Sequence, residues 1–84
     1  MRLDKFLKVS RLIKRRTIAN EACDAGRVEV NGCTARASYE VKVGDVIAIS
    51  FGGTRFRAEV LRISEHVSKE GAALMYKILD GSED

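Results

Sequence analysis

The apolar residues of this 84-residue chain change period at Gly26. Before it they recur at helical spacing; after it they alternate, which commits the first part of the chain to helices and most of the rest to strands. Leu3, Phe6, Leu7 and Ser10 form a narrow stripe that one short helix can bury. Arg2, Lys5 and Lys8, three residues apart, share an adjoining face and stay toward solvent. Residues 10–16 break the pattern in favour of a basic turn anchored by Leu12 or Ile13. Thr17 is the expected N-cap of a second helix, because its hydroxyl can accept a backbone N–H two or three residues on. Ile18, Ala19, Ala22 and Cys23 give that helix a face of mostly small side chains that packs closely on the first. Gly26, able to take positive φ, ends it.

Beyond Gly26, Val28 and Val30 flank Glu29, and Asn31-Gly32 is a strong tight-turn signal. Residues 34–39 continue as a short strand or an extended loop. Val43-Gly44-Asp45 turns into a strand over residues 46–51, and Gly52-Gly53 makes a hairpin to a strand over 55–63. There Phe56, Ala58 and Val60 face one side, and Arg55, Arg57 and Glu59 the other. The stretch from Ser68 to Leu79 is expected to be a capped helix, with a strand over its second half as the close alternative. Residues 1–79 therefore make one domain, and residues 80–84 an acidic tail that frays.

The charge is distributed as unevenly as the period. Residues 1–16 hold seven basic side chains, Arg2, Lys5, Lys8, Arg11, Lys14, Arg15 and Arg16, against Asp4 alone. Residues 17–63 balance, and residues 64–84 carry a net −3. A basic cluster at one end of an otherwise ordinary chain is the electrostatic footprint of a nucleic-acid binder. Phosphates attract such a patch with counterion release, and arginine adds a fork of donors suited to phosphate and base edges. Asp4 reads as an orienting acid that pairs with Arg16 or Lys8 or caps the first helix, with a direct contact to RNA as the lesser alternative. Arg27, Arg36 and Lys42 could widen the footprint or serve as ordinary surface charges. Arg55 and Arg57 read as strand-surface charges. Tyr39, Tyr76 and Phe51 could stack on bases, but a core this small needs their rings. His66 reads as inert.

Other classes find little here. Cys23 and Cys33 with one distant histidine are too few ligands for structural zinc, and they read as reduced thiols rather than a bridge. No apolar run is long enough to span a bilayer and no secretory signal opens the chain, so a cytoplasmic address is expected. Neither paired carboxylates, nor a Ser-His-Asp set, nor a phosphate-binding glycine loop is present, so the protein is expected to be no enzyme and to need no metal or cofactor. A duplex-reading helix is disfavoured because residues 18–24 would offer Asn20, Glu21 and Asp24, two of them repelled by phosphate. A protein–protein adaptor working through the strand face stays open as the alternative class.

Four segments, Arg2-Leu3-Asp4-Lys5-Phe6-Leu7, Arg15-Arg16-Thr17-Ile18-Ala19, Gly26-Arg27-Val28-Glu29-Val30-Asn31-Gly32 and Val43-Gly44-Asp45, resemble the S4 RNA-binding domain, or αL motif, in order and spacing. The resemblance implies an α+β fold, with two short N-terminal helices packed on a small, mainly antiparallel sheet and room for a short C-terminal helix. Within that superfamily the opening seventeen residues are similar to the heat-shock-15-like/RqcP family. The acidic end, in place of a long basic extension, favours the RqcP branch of ribosome-associated quality control. That branch implies a monomer binding rRNA of the large ribosomal subunit and peptidyl-tRNA on stalled, split ribosomes. It implies support for alanine tailing by an RqcH-type partner met through the shared ribosome. A general heat-shock factor that recycles obstructed large subunits by binding rRNA and tRNA is the alternative within the family.

Overall fold

A computed structural model of the protein describes residues 1–82. Helices α1 (Leu3–Val9) and α2 (Arg16–Asp24) come first, followed by strands β1 (Val28–Val30), β2 (Cys33–Thr34), β3 (Val46–Phe51) and β4 (Thr54–Val60). A short helix α3 (Lys69–Ala73) and strand β5 (Tyr76–Ser82) complete the chain order. The strands form one antiparallel sheet in the order β2-β1-β3-β4-β5. This is the α+β arrangement expected from the change of period.

Register places Val28, Ile49 and Phe56 in one row and Val30, Ile47 and Ala58 in the next, all on the face that meets the helices. Leu3, Phe6 and Leu7 of α1 and Ala19, Ala22 and Cys23 of α2 join Val28, Val30, Ile47, Ile49, Val60 and Met75 in a single core. The opposite face carries Glu29, Ala48 and Arg57 in register. Asn31 and Gly32 both take positive φ, 54° and 85°, as a two-residue hairpin between right-twisted strands requires. The Asn31 side chain then ties the hairpin to β3: its Oδ1 accepts from Val46 N–H at 3.0 Å and its Nδ2 donates to buried Asp45 at 3.1 Å.

Several expectations are corrected. The N-cap of α2 is Arg15, extended and without a side-chain cap bond, so Thr17 lies inside the first turn. Buried Ile13 anchors the preceding turn, and the pairing of Arg16 with Asp4 sets the helix start ahead of the threonine. Ile18 is 42% exposed, because α2 meets the core along Ala19, Ala22 and Cys23 and residue 18 falls to one side. β4 ends at Val60, short of residue 63. The segment 68–79 splits: Ser68 Oγ accepts from Gly71 N–H at 3.1 Å and caps the five-residue α3, and the chain then pairs with β4 from Tyr76. A short apolar run fits either period, and here the open edge of β4 decides it. That pairing continues through the backbone of residues 80–82, which therefore do not form the expected frayed tail; residues 83–84 lie outside those described. The two cysteines are free, Cys23 buried as expected and Cys33 exposed. No helix of the described residues is long and apolar enough to cross a membrane.

Candidate nucleic-acid interface

The N-terminus is laid down before α1 begins. Met1 O accepts from Val41 N–H at 2.9 Å, and Leu3 and Asp4 N–H donate to Tyr39 and Ala37 O at 2.8 and 3.2 Å. The α-amino group of Met1 pairs with Glu40. These bonds use N–H groups that the first turn of a helix leaves unpaired, and they hold Arg2 at the N-cap of α1.

Two residues on, Asp4 is buried at the junction of α1 and α2, its side chain 3% exposed. Arg2 Nε donates to Oδ1 at 3.2 Å and Arg2 Nη2 to Oδ2 at 3.4 Å. Arg16 approaches from α2, with Nε 3.4 Å from Oδ2 and Nη2 3.5 Å from Oδ1. Asn20 Nδ2, one turn beyond Arg16, donates to Oδ2 at 3.2 Å, and Lys5 N–H to Oδ1 at 2.8 Å. Burial alone would raise the Asp4 pKa; donation from Asn20, Arg2 and Arg16 outweighs it and holds the carboxyl below its ordinary value. The carboxylate is therefore a fixed anion on which two arginines from two helices converge. Both guanidinium groups stay about half exposed, at 49% and 47%, so each can turn donors outward. Beside them Asp4, Arg16, Thr17, Asn20 and Glu21 line a groove of about 370 Å³.

The expectation for Asp4 is thus met at Arg16, while its other partner is Arg2 and not Lys8. Lys8, Arg11, Lys14 and Arg15 are exposed on the end of α1 and the turn after it. Lys5 is half-buried, and its Nζ lies 2.6 Å from Glu65 Oε1. That contact holds the Glu65 carboxyl below its ordinary pKa. The N-terminal cations therefore occupy one end of the molecule, with Arg2 and Arg16 held on a common acid. Arg27 is exposed between α2 and β1, and Arg36 and Lys42 on the connection from β2 to β3; Arg36 lines a separate cleft with Thr34, Ser38 and Tyr39. Tyr39 donates its hydroxyl to Asp45 at 2.9 Å, so that ring serves the fold. Burial, with Asp4 and Asp24 nearby, pushes the Cys23 thiol up to about 11 and leaves it unreactive.

A sequence model of the S4 domain matches residues 1–47, which contain all of these cations and end inside β3. The chain belongs to the S4 domain family. Within that family it stands with the RQC P-site tRNA stabilizing factors. The factor of Bacillus subtilis is 53% identical over 94% of this chain and 92% of its own length. The factor of Streptococcus pneumoniae is 51% identical over 94% and 90%. Among solved structures, heat shock protein 15 of Vibrio cholerae, described as trimeric, superposes with a TM-score of 0.85 at 29% identity. That match covers 93% of this chain and 80% of the other. The S4 motif accounts for the helices and the first hairpin; the loop after β4, α3 and β5 lie beyond it.

Asn20 and Glu65 are the partners of this cluster that sequence reasoning missed. Asn20 was legible, since it follows Arg16 by four residues and so shares its helix face. Glu65 carried no signal, because it reaches Lys5 only through the fold.

Proposed function

We propose that this protein binds structured RNA through the groove between α1 and α2, on large ribosomal subunits that retain peptidyl-tRNA after stalling and splitting. The observation that carries this reading is the buried Asp4 holding Arg2 and Arg16 side by side, half exposed, at the head of a cluster of seven cations. A buried acid fixing two arginines lowers the entropy they lose on gripping phosphate, because their forks are already oriented. The exposed Glu21 and Asp24 of α2 oppose entry into a duplex groove, which favours irregular RNA over DNA. The relatives named for stabilizing P-site tRNA in ribosome-associated quality control support assigning that RNA to the ribosome.

In this reading the protein contacts large-subunit rRNA and the tRNA together. It steadies the tRNA while an RqcH-type partner, met through the shared ribosome, adds alanines to the nascent chain. It acts in the cytoplasm as a monomer, by binding alone, with no cofactor and no reaction of its own. The test is sedimentation from cells in which stalling is provoked, with the tailed nascent chains followed in parallel. The protein should travel with large subunits carrying peptidyl-tRNA, and its loss should shorten the alanine tails. Recovery chiefly on small subunits, or free of ribosomes, overturns the assignment.

A further inference from the structure

The loop after β4 lies against the basic end of α1 and forms a second wall there. Ile63 and Val67 pack on the core and pin the loop at both ends. Gly71 of α3 sits so close that a Cβ on it would meet Val67 Cβ at 3.2 Å. Between the pins, Ser64 Oγ donates to His66 O at 3.5 Å, and Glu65 pairs with Lys5. What remains is a cleft of about 230 Å³ lined by Lys8, Val9, Arg11, Glu65, His66 and Val67. Its one acid is already neutralised by Lys5, whereas the Lys8 ammonium and Arg11 guanidinium have no acidic partner among the described residues.

Among the described residues, Arg11 is also one of two non-glycine residues with positive φ, at 65°. The other, Asn31, is of the type that tolerates this conformation, and arginine is not. Its backbone is held there by Arg11 N–H donating to Lys8 O at 3.1 Å and Ile13 N–H to Leu7 O at 3.0 Å. Glycine would fill the same turn with less strain, so the side chain is the reason to look for a role.

We propose that this cleft is a second RNA contact, a seat for a backbone phosphate held by Lys8, Arg11 and His66. The proposal rests on the RNA-binding reading above and extends its surface from the α1–α2 groove around α1 to the far half of the chain. Lys8 supplies a mobile charge, Arg11 a forked donor, and the His66 imidazole an N–H donor in either protonation state. Three donors from two segments on opposite sides suit a tetrahedral anion, and continuity with the N-terminal cations suits a phosphate that belongs to a chain.

The test is equilibrium binding of fluorescently labelled protein to purified large subunits carrying peptidyl-tRNA, with a melting curve for each variant. Arg11→Gly should weaken binding about 3- to 10-fold and flatten the salt slope by about 1. It should melt no lower than wild type, since glycine suits the turn. His66→Ala should weaken binding about 2- to 5-fold, and Glu65→Gln should strengthen it by a similar factor, at the scale of single exposed charged contacts. If Arg11→Gly and His66→Ala bind as wild type while Arg16→Ala is weakened, the cleft is outside the interface and the proposal falls, with RNA binding intact. A cleft that served free phosphate would give that same result. If Arg16→Ala also binds as wild type, the RNA-binding reading fails and takes this proposal with it.

Discussion

Replacing Asp4 by asparagine removes a charge that four donor groups converge on while keeping the shape of the side chain. Breaking a fully buried ion pair costs about 3–5 kcal/mol, most of it from the charge left stranded in the interior. Here the stranded charges are two arginines about half in water, so that part is largely screened. What remains is the loss of charged hydrogen bonds at a buried acceptor, about 2 kcal/mol. For a domain of this size that lowers Tm by about 8–16 °C at pH 7. The pH dependence gives a sharper check. The folded pKa of Asp4 lies below the ordinary 3.8, so its contribution is complete above the unfolded value and is lost as pH falls through the folded one. Wild type and Asp4→Asn should therefore differ most near neutrality and converge in acid, below about pH 4. Melting curves by circular dichroism across that range decide it. Equal melting temperatures at pH 7, or a gap that survives unchanged in acid, would refute the assignment of Asp4 as a stabilising anion.

Arg2→Ala and Arg16→Ala should each weaken binding to large subunits by about 1–3 kcal/mol, read by cosedimentation. Each leaves Asp4 with one arginine, Asn20 and the Lys5 N–H, so Tm should fall by less than it does in Asp4→Asn. Phe6→Ala should do the reverse of the arginine variants, unfolding the domain through a core cavity worth about 3–5 kcal/mol, since Phe6 is fully buried. With about five cations on phosphates, log K against log salt should slope near −3 to −5, and a slope near zero would remove the electrostatic basis of binding.

The sequence made some of this visible and hid the rest for definite reasons. Helical spacing of Leu3, Phe6 and Leu7 identified α1, and Asn31-Gly32 identified a hairpin, because both signals are local. The start of α2 was misplaced because Thr17 looks like a cap, whereas the helix is registered by a contact twelve residues upstream at Asp4. For residues 68–79 the sequence left helix and strand open over the second half, since the partner that makes Tyr76 extended is β4. Among site residues, the cations were legible as a cluster, but their division into an Asp4-bound pair and a free set depends on distances between helices. His66, read as inert, acquires neighbours only when the loop after β4 folds back over α1.

That fold-back bears on the order of folding. Leu3, Phe6 and Leu7 complete their packing against Val60 and Met75, and Lys5 meets Glu65 across 60 residues of chain. Contacts of such sequence separation raise the relative contact order and slow folding, because long loops must close before burial rewards them. The S4-matching portion, residues 1–47, stops inside β3 and lacks Ile49, Val60 and Met75 of that core. As a separate fragment it would carry every N-terminal cation yet lack β4, α3 and β5, which complete the core behind α1. The proposed RNA surface therefore rests on parts of the chain that follow it, although its own residues are among the first to be synthesised.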